Sequence, residues 1–268
     1  MAISRILTPK DMGETLKLIG DGGLILGGGQ ALVPEIRQGS YRKKNTNLID
    51  ISKLNEISSK TSLNNSILSI GARITIRQLI EDQNVKDKAK FLIEACHSLG
   101  DFQVRNSATL GGNLCWGEPR ANLLVALIAA STIVKFVDKS MKIEKIPLKT
   151  LYEQKISRGI RDFVLLSVET NLTDITNSSY EEFSRQKNDL ALVNLAIIEK
   201  YNLISGCIGG LFEHPFEFKE VEKSEMINTV MKLVKRTKIT KMTNQFADFD
   251  HRLSILESIL SNTAKTDE

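Results

Sequence analysis

Residues 101–114 read DFQVRNSATLGGNL. A Thr, two adjacent glycines and an amide side chain stand there between two apolar stretches. Residues 24–32, LILGGGQAL, carry a similar cluster behind a strand-like apolar run. Glycine permits positive φ and lets a ligand approach the main chain closely. Successive exposed N–H groups in such a turn form an anion-binding concavity, and a following helix adds its positive end. The first cluster, Gly27-Gly28-Gly29-Gln30-Ala31, leads into a helix predicted over LVPEIRQG. The second, Thr109-Leu110-Gly111-Gly112-Asn113, sits in a loop and precedes a helix predicted over 121–131. Two such cradles could grip a pyrophosphate from both sides, which calls for a dinucleotide. Neither is a standard nucleotide fingerprint. The first lacks the third glycine of G-x-G-x-x-G, and neither has the G-K-[ST] of a P-loop. On spacing alone, a pair of tight turns is an equal reading.

Outward from these clusters the chain has three textures. Residues 1–58 read β-α-β-turn-α-β. Thr8 is the expected N-cap and Pro9 the first position of a helix that Gly22-Gly23 ends. LIL at 24–26 and NLIDIS at 47–52 are strands. Residues 63–172 hold the strand SILSIGA, helices over TIRQLIED and DKAKFLIEACHSLG, and the quoted loop. ANLLVALIAAS is apolar all round and predicts a buried helix. TIVKFVD and RDFVLLSVET follow as strands. After the polar linker NLTDITNSS at 171–179, LALVNLAIIEK and ISGCIGGL predict a strand pair. EKSEMINTVMKLVKRTK and DHRLSILESILSN predict two amphipathic helices, and NTAKTDE a frayed tail.

Composition narrows the classes. The chain has 268 residues, 41% of them hydrophobic, enough for one large domain or two modest ones. The net charge of +4 is spread as Lys, with no denser run than Lys232–Lys241, and aromatics are 6%. A nucleic-acid binder would concentrate charge beside aromatics. The three cysteines, Cys96, Cys115 and Cys207, form no C-x-x-C, so neither zinc nor an iron–sulfur cluster is suggested. No apolar run reaches the length of a membrane span and the N-terminus has no signal core. These features predict a reduced, cytoplasmic chain without membrane insertion.

Several stretches together resemble the medium, FAD-binding subunit of molybdenum hydroxylases, the group of carbon monoxide dehydrogenase, xanthine dehydrogenase and aldehyde oxidoreductase. LGGGQALVPEIRQG resembles the first flavin loop of that family, A-G-G-x-[ST]-L and its short helix. NLIDISKLNEI and SIGARITIRQLIE resemble its next two segments. SLGDFQVRNSATLGGNLCWGEPRANLLVALIAA resembles the second flavin loop, with Q-[VI]-R-N-x-[AG]-[ST]-[IL]-G-G-N the most specific piece. FSRQKNDLALVNLA resembles the R-x-x-x-D-x-[AS] stretch that opens the C-terminal domain. The likeness covers about residues 5–215 and weakens beyond.

The resemblance implies an α+β fold. Two subdomains, about 1–58 and 59–172, would form an FAD-binding domain of the vanillyl-alcohol-oxidase/molybdenum-hydroxylase type, with a C-terminal α+β domain over 177–268. It implies that main-chain N–H groups within Gly27, Gly28, Gly29, Gln30, Ala31 and Leu32, and at Gly111, Gly112 and Asn113, hold the pyrophosphate. Thr109 would bond a phosphate, Leu99 and Leu165 or Leu166 would line the flavin pocket, and Asp189 would follow Arg185 in its motif. Asn122 stands where the family has the Asp of P-x-x-D, and Ala31 where it has Ser or Thr. The cofactor implied is FAD. Molybdopterin and [2Fe–2S] clusters would lie in a large and a small partner subunit, and a small-molecule acceptor would take the electrons. The alternative is a structural or assembly subunit of the same fold with a weakened or empty flavin site. A free-standing flavin oxidase ranks last, for want of Tyr/His/Arg clusters.

Other polar residues read as structural. Arg105 is expected to brace its loop, His97, His214 and His251 to be ordinary surface or core histidines, and Trp116 to pack. Glu181-Glu182 is expected to be a solvated pair at a strand end. No paired carboxylates or nucleophile–base arrangement appears, so no catalytic residue and no metal ligand is assigned.

Overall fold

The computed structural model describes residues 3–39 and 46–265; the expected tail residues 266–268 lie outside them. The chain packs as two compact units whose segments alternate. The first holds residues 1–81, 102–117 and 133–169, and the second 82–101, 118–132 and 170–268.

The first unit carries two sheets. Strands β1 (Ile3–Leu7), β2 (Leu24–Leu26) and β3 (Thr46–Asp50) form a parallel sheet in the order β1-β3-β2. Between β1 and β2 runs helix α1 (Met12–Gly20). Its N-cap is Asp11 and not the expected Thr8, because the Asp11 carboxylate accepts from the Glu14 N–H at 2.8 Å while Glu14 reaches back to the Lys10 N–H at 2.9 Å. Gly22, at φ 88°, ends the helix as predicted. The other sheet has the order β4-β5-β8-β6-β7, from β4 (Thr61–Asn64), β5 (Ile67–Gly71), β6 (Ile133–Asp138), β7 (Ile143–Pro147) and β8 (Phe163–Asn171). The sequence reading lacked β4 and β7, two short strands with polar alternation. The β4–β5 hairpin turns on Asn65 and Ser66, both with positive φ.

The stretch 101–114 is not a loop. Helix α6 (Phe102–Ser107) and helix α7 (Leu110–Cys115) occupy it, separated by Ala108 and Thr109. Before them comes α3 (Ile76–Glu81), begun by a reciprocal pair: Thr75 Oγ1 accepts from the Gln78 N–H, and Gln78 Oε1 from the Thr75 N–H. After β2 comes α2 (Leu32–Arg37), and after β7 comes α9 (Leu148–Leu151), which continues as a π turn over Tyr152–Ile156.

The second unit is built on an antiparallel sheet, β12-β11-β10-β9. Its strands are β9 (Asn177–Phe183), β10 (Val193–Lys200), β11 (Leu203–Gly209) and β12 (Phe216–Glu222). The expected β10–β11 pair is present, with Ala196 opposite Cys207. Helices α10 (Met226–Arg236) and α11 (Phe249–Lys265) pack with Leu195, Ile197, Ile204 and Phe218 in one apolar cluster. The tail predicted to fray from residue 262 is therefore helical to residue 265. The helix expected over DKAKFLIEACHSLG, residues 87–100, is interrupted at Ala89: its first two residues end α4 (Gln83–Lys88) and the rest forms α5 (Lys90–Ser98).

Helix α8 (Asn122–Ala129) is buried at every position and packs on β10 and β11, and α5 packs on β9. Both faces of the sheet are thus covered, which explains the unbroken apolar run of β10. Chain order and packing therefore divide the molecule differently. A linear cut at 172–177 leaves α4, α5 and α8 on the N-terminal side, whereas α5 and α8 pack on the C-terminal sheet and α4 packs on α5. The cause is α8: a helix apolar all round must be covered, and this sheet covers it.

Candidate cofactor-binding site

In the first unit the two glycine clusters come together. After β2 the chain turns through Gly27–Ala31 into α2. A Cβ added to Gly28 would lie 1.9 Å from the Ser107 carbonyl oxygen and 2.8 Å from Ala108 Cα, and one on Gly27 would lie 3.0 Å from Thr109 Oγ1. The first turn is therefore seated on the backbone that joins α6 to α7. Only Gly29, at φ 72°, uses the left-handed region among the cluster glycines; Gly28 is required for close approach, and a Cβ on Gly27, Gly111 or Gly112 would meet its nearest neighbour at 3.0 Å. Trp116, after α7, donates from Nε1 to Glu35 Oε1 on α2 at 2.6 Å and ties the two segments again.

The main-chain donors of the two clusters differ. Among the described residues, the N–H groups of Gly27, Gly28, Gly29, Gln30 and Ala31 donate to nothing in the protein. The expected donors of the second cluster are committed. Gly111 N–H bonds the Ala72 carbonyl at 2.9 Å, Gly112 N–H bonds Thr109 Oγ1 at 3.1 Å, and Asn113 N–H bonds the Thr109 carbonyl at 3.0 Å. The reason is local: Thr109 is the N-cap of α7, and Gly111 lets the helix lie against Ala72, 3.0 Å from a virtual Cβ. With its oxygen accepting from Gly112, the Thr109 hydroxyl keeps its hydrogen to donate. Five free N–H groups with this hydroxyl beside them suit a ligand rich in acceptor oxygens, such as the pyrophosphate of FAD. Leu32 opens α2. Leu165 is buried in β8, and the Leu166 carbonyl accepts from the Ala72 N–H at 2.9 Å.

Leu99, Asn122 and Asp189 belong to the second unit. Leu99 is buried at the end of α5. Asp189 pairs with Arg185 at 3.7 Å on a half-exposed turn, and Arg185 stacks on Phe246 at 3.7 Å. Arg120 is held by Glu118 at 2.7 and 3.0 Å and reaches the Ala191 carbonyl at 3.3 Å, so its charge is matched within the chain. Asn122 is part of a buried polar network that sequence reasoning missed. Its Nδ2 donates to Tyr180 Oη at 3.0 Å and to Glu182 Oε2 at 2.8 Å. Tyr180 Oη donates to Glu182 at 3.0 Å and accepts from Asn194 Nδ2 at 2.9 Å.

The pair Glu181-Glu182 is therefore not simply solvated. Burial pushes the carboxyls of both above the ordinary value, and Glu181 accepts from Thr263. Burial, then the neighbouring Glu182, push the Tyr180 phenol up as well. A usable signal did exist: Asn194 interrupts the apolar run LALVNLA, and Tyr180 and Glu182 share one strand face at i, i+2.

No group of three or more His, Cys, Asp or Glu side chains among the described residues could hold a metal. Burial pushes the Cys115 thiol up to about 11, against a lowering by Arg161, so it is a protonated thiol at neutral pH. No helix among the described residues is long and apolar enough to cross a membrane.

The comparisons with known proteins agree with this geometry. The family described as the FAD binding domain in molybdopterin dehydrogenase matches residues 2–168. The glyceraldehyde dehydrogenase medium chain of Sulfolobus acidocaldarius is 31% identical over 208 residues, 74% of this chain and 72% of that one. The 6-hydroxypseudooxynicotine dehydrogenase complex subunit alpha of Paenarthrobacter nicotinovorans is 31% identical over 193 residues, 69% of this chain and 63% of that one. In fold, quinoline 2-oxidoreductase from Pseudomonas putida 86 superimposes with a TM-score of 0.84 at 20% identity, over 99% of this chain and 96% of that one. With its paired glycine clusters and a row of free main-chain donors, this chain belongs to the family of FAD-binding domains of molybdopterin dehydrogenases, as an oxidoreductase subunit of medium-chain type.

Proposed function

We propose that this chain is the FAD-carrying electron-transfer subunit of a molybdenum hydroxylase complex. A large subunit would hold molybdopterin and a small one two [2Fe–2S] clusters. Electrons from a substrate oxidised at molybdenum would reach FAD and leave to a small-molecule acceptor. The observation that carries this reading is the row of unengaged N–H groups from Gly27 to Ala31 in a chain of this family.

FAD, when bound, supplies the redox chemistry, accepting and passing electrons. The chain's own part is binding and orientation. The N–H groups of residues 27–31 would hold phosphate oxygens, and the Thr109 hydroxyl would give its hydrogen to one. Gly111, Gly112 and Asn113 would act by building α7 and setting Thr109, rather than by donating. Leu165 and Leu166 in the first unit, and Leu99, Asn122 and Asp189 in the second, are the further residues proposed to serve the cofactor. FAD is assigned to the segment 1–172 of the chain, with 177–268 as the C-terminal part. Three free thiols support a reduced, cytoplasmic setting.

The test is the visible spectrum of the complex purified through this chain. A flavin band, released as FAD on denaturation, is expected. A complex of all three subunits with no flavin would overturn the reading in favour of a structural subunit.

A further inference from the structure

Glu35 and Trp116 meet beside the first glycine turn, and both belong to the first unit. The turn does little to brace itself. Among the described residues, its five N–H groups, from Gly27 to Ala31, bond nothing in the protein. Helix α2, which follows, has six residues, and a helix that short is not stable by itself. Its N-cap, Ala31, offers no side-chain cap, and Ile36 is its one buried residue. Among the described residues, its one hydrogen bond to another segment is that from Trp116 Nε1 to Glu35 Oε1, at 2.6 Å. The indole N–H can only donate, so its partner must supply an acceptor, as a carboxyl oxygen does. The backbone behind the indole is held as well. Trp116 is the C-cap of α7, and Gly117 after it turns the chain at φ 91°. The buried Tyr152 donates from Oη to the Gly117 carbonyl at 3.0 Å. Helix α7 thus meets the turn region at both of its ends. At its start, Thr109 Oγ1 stands beside Gly27, the first residue of the turn. At its end, Trp116 holds Glu35, just past the last. Six helical residues span about 9 Å, so α7 is a splint for the turn.

We propose that Trp116 and Glu35 are positioning residues for FAD. Their hydrogen bond clasps α2 to the end of α7 and so holds the N–H row of residues 27–31 in the shape that receives phosphate oxygens. The inference rests on the FAD reading. Neither side chain needs to touch the cofactor. A turn already ordered in the free protein loses little conformational entropy when a ligand engages it, whereas a loose one must be ordered at the moment of binding. Opening the clasp therefore lowers affinity for FAD, beyond any loss of stability.

The experiment titrates FAD into the deflavinated complex, following flavin fluorescence, with the melting temperature of every deflavinated variant recorded. Wild-type binding is read first; its absence overturns the FAD reading itself. Glu35→Ala and Trp116→Phe each remove one partner of the bond, and each should weaken FAD binding by about threefold to tenfold. Glu35→Gln keeps an oxygen that can accept from the indole and should stay within about twofold of wild type. The double variant Trp116→Phe/Glu35→Ala should bind within about twofold of the weaker single variant, because both changes open the same bond. Independent, multiplying effects would overturn the proposal. So would a Glu35→Ala complex that loses stability but keeps its FAD affinity, since the bond would then be structural only. A Glu35→Gln complex as weak as Glu35→Ala would overturn it too, by making the charge and not the bond responsible. Should Trp116→Phe fail to fold, the contrast between Glu35→Ala and Glu35→Gln still decides.

Discussion

At the scale of single residues, Gly28 is the position with the least room. Its missing Cβ is what allows the first turn to rest on Ser107 and Ala108, and the obstacle is backbone, which cannot swing aside. Gly28→Ala should therefore destabilise the protein by about 3 kcal/mol, the upper end for overpacking. Gly111→Ala meets Ala72 at 3.0–3.1 Å and should cost about 1 kcal/mol. Urea denaturation of the two variants checks the order; equal, small effects would mean the turn can move off α6. The same geometry alters the reason for a glycine at 111. A side chain there meets Ala72 and its carbonyl before it meets any ligand. That the clusters matter was legible in the sequence. Which N–H groups they leave free was not, since this depends on Ala72, about forty positions away in the chain.

At the scale of elements, α11 is fastened by a buried cation. Arg252 is fully buried and bonds the carbonyls of Leu192 and Gly210 through Nη1 and, at 3.4 Å, that of Ala247 through Nε. Its guanidinium therefore ties the first turns of α11 to the open end of the β10–β11 pair, where Leu192 precedes β10 and Gly210 follows β11. Burial, then the neighbouring Arg120, lower its pKa from the usual Arg value. Arg252→Met would leave those carbonyls without their donor inside the protein. A loss of about 3 kcal/mol is expected, with faster amide hydrogen exchange in α11. A loss below about 1 kcal/mol would mean that water replaces the arginine. The amphipathic pattern of α11 was readable from its sequence. The arginine looked like any surface cation, because burial of a polar head depends on what the sheet places above it.

At the scale of the whole molecule, the chain passes between two units more than once, and no single cut separates them. The fragment 1–172 would keep α4, α5 and α8 but lose strands β9–β12, on which α5 and α8 pack. Helix α8, buried at all of its positions, would then expose a wholly apolar surface. The fragment should bind a hydrophobic dye and lack a cooperative melt, whereas the full chain melts cooperatively. A well-folded, dye-silent fragment 1–172 would show that the N-terminal segment covers α8 by itself.

Local pattern alone determined a good deal of this protein. It placed the first glycine turn, the strands β2 and β3, the β10–β11 pair, the burial of α8 and the motifs that carry the family. Each of these follows from neighbours within a few residues, where propensity and periodicity act. Tertiary structure decided the rest. It made 101–114 two helices capped through Thr109, spent the N–H groups of Gly111 and Gly112 inside the chain, and joined α5 and α8 to the later sheet. It also drew Asn122, Tyr180, Glu182 and Asn194 into one network. Hydrogen bonds and buried faces are satisfied by whichever group the fold brings near, and that identity is not written in the residues beside them.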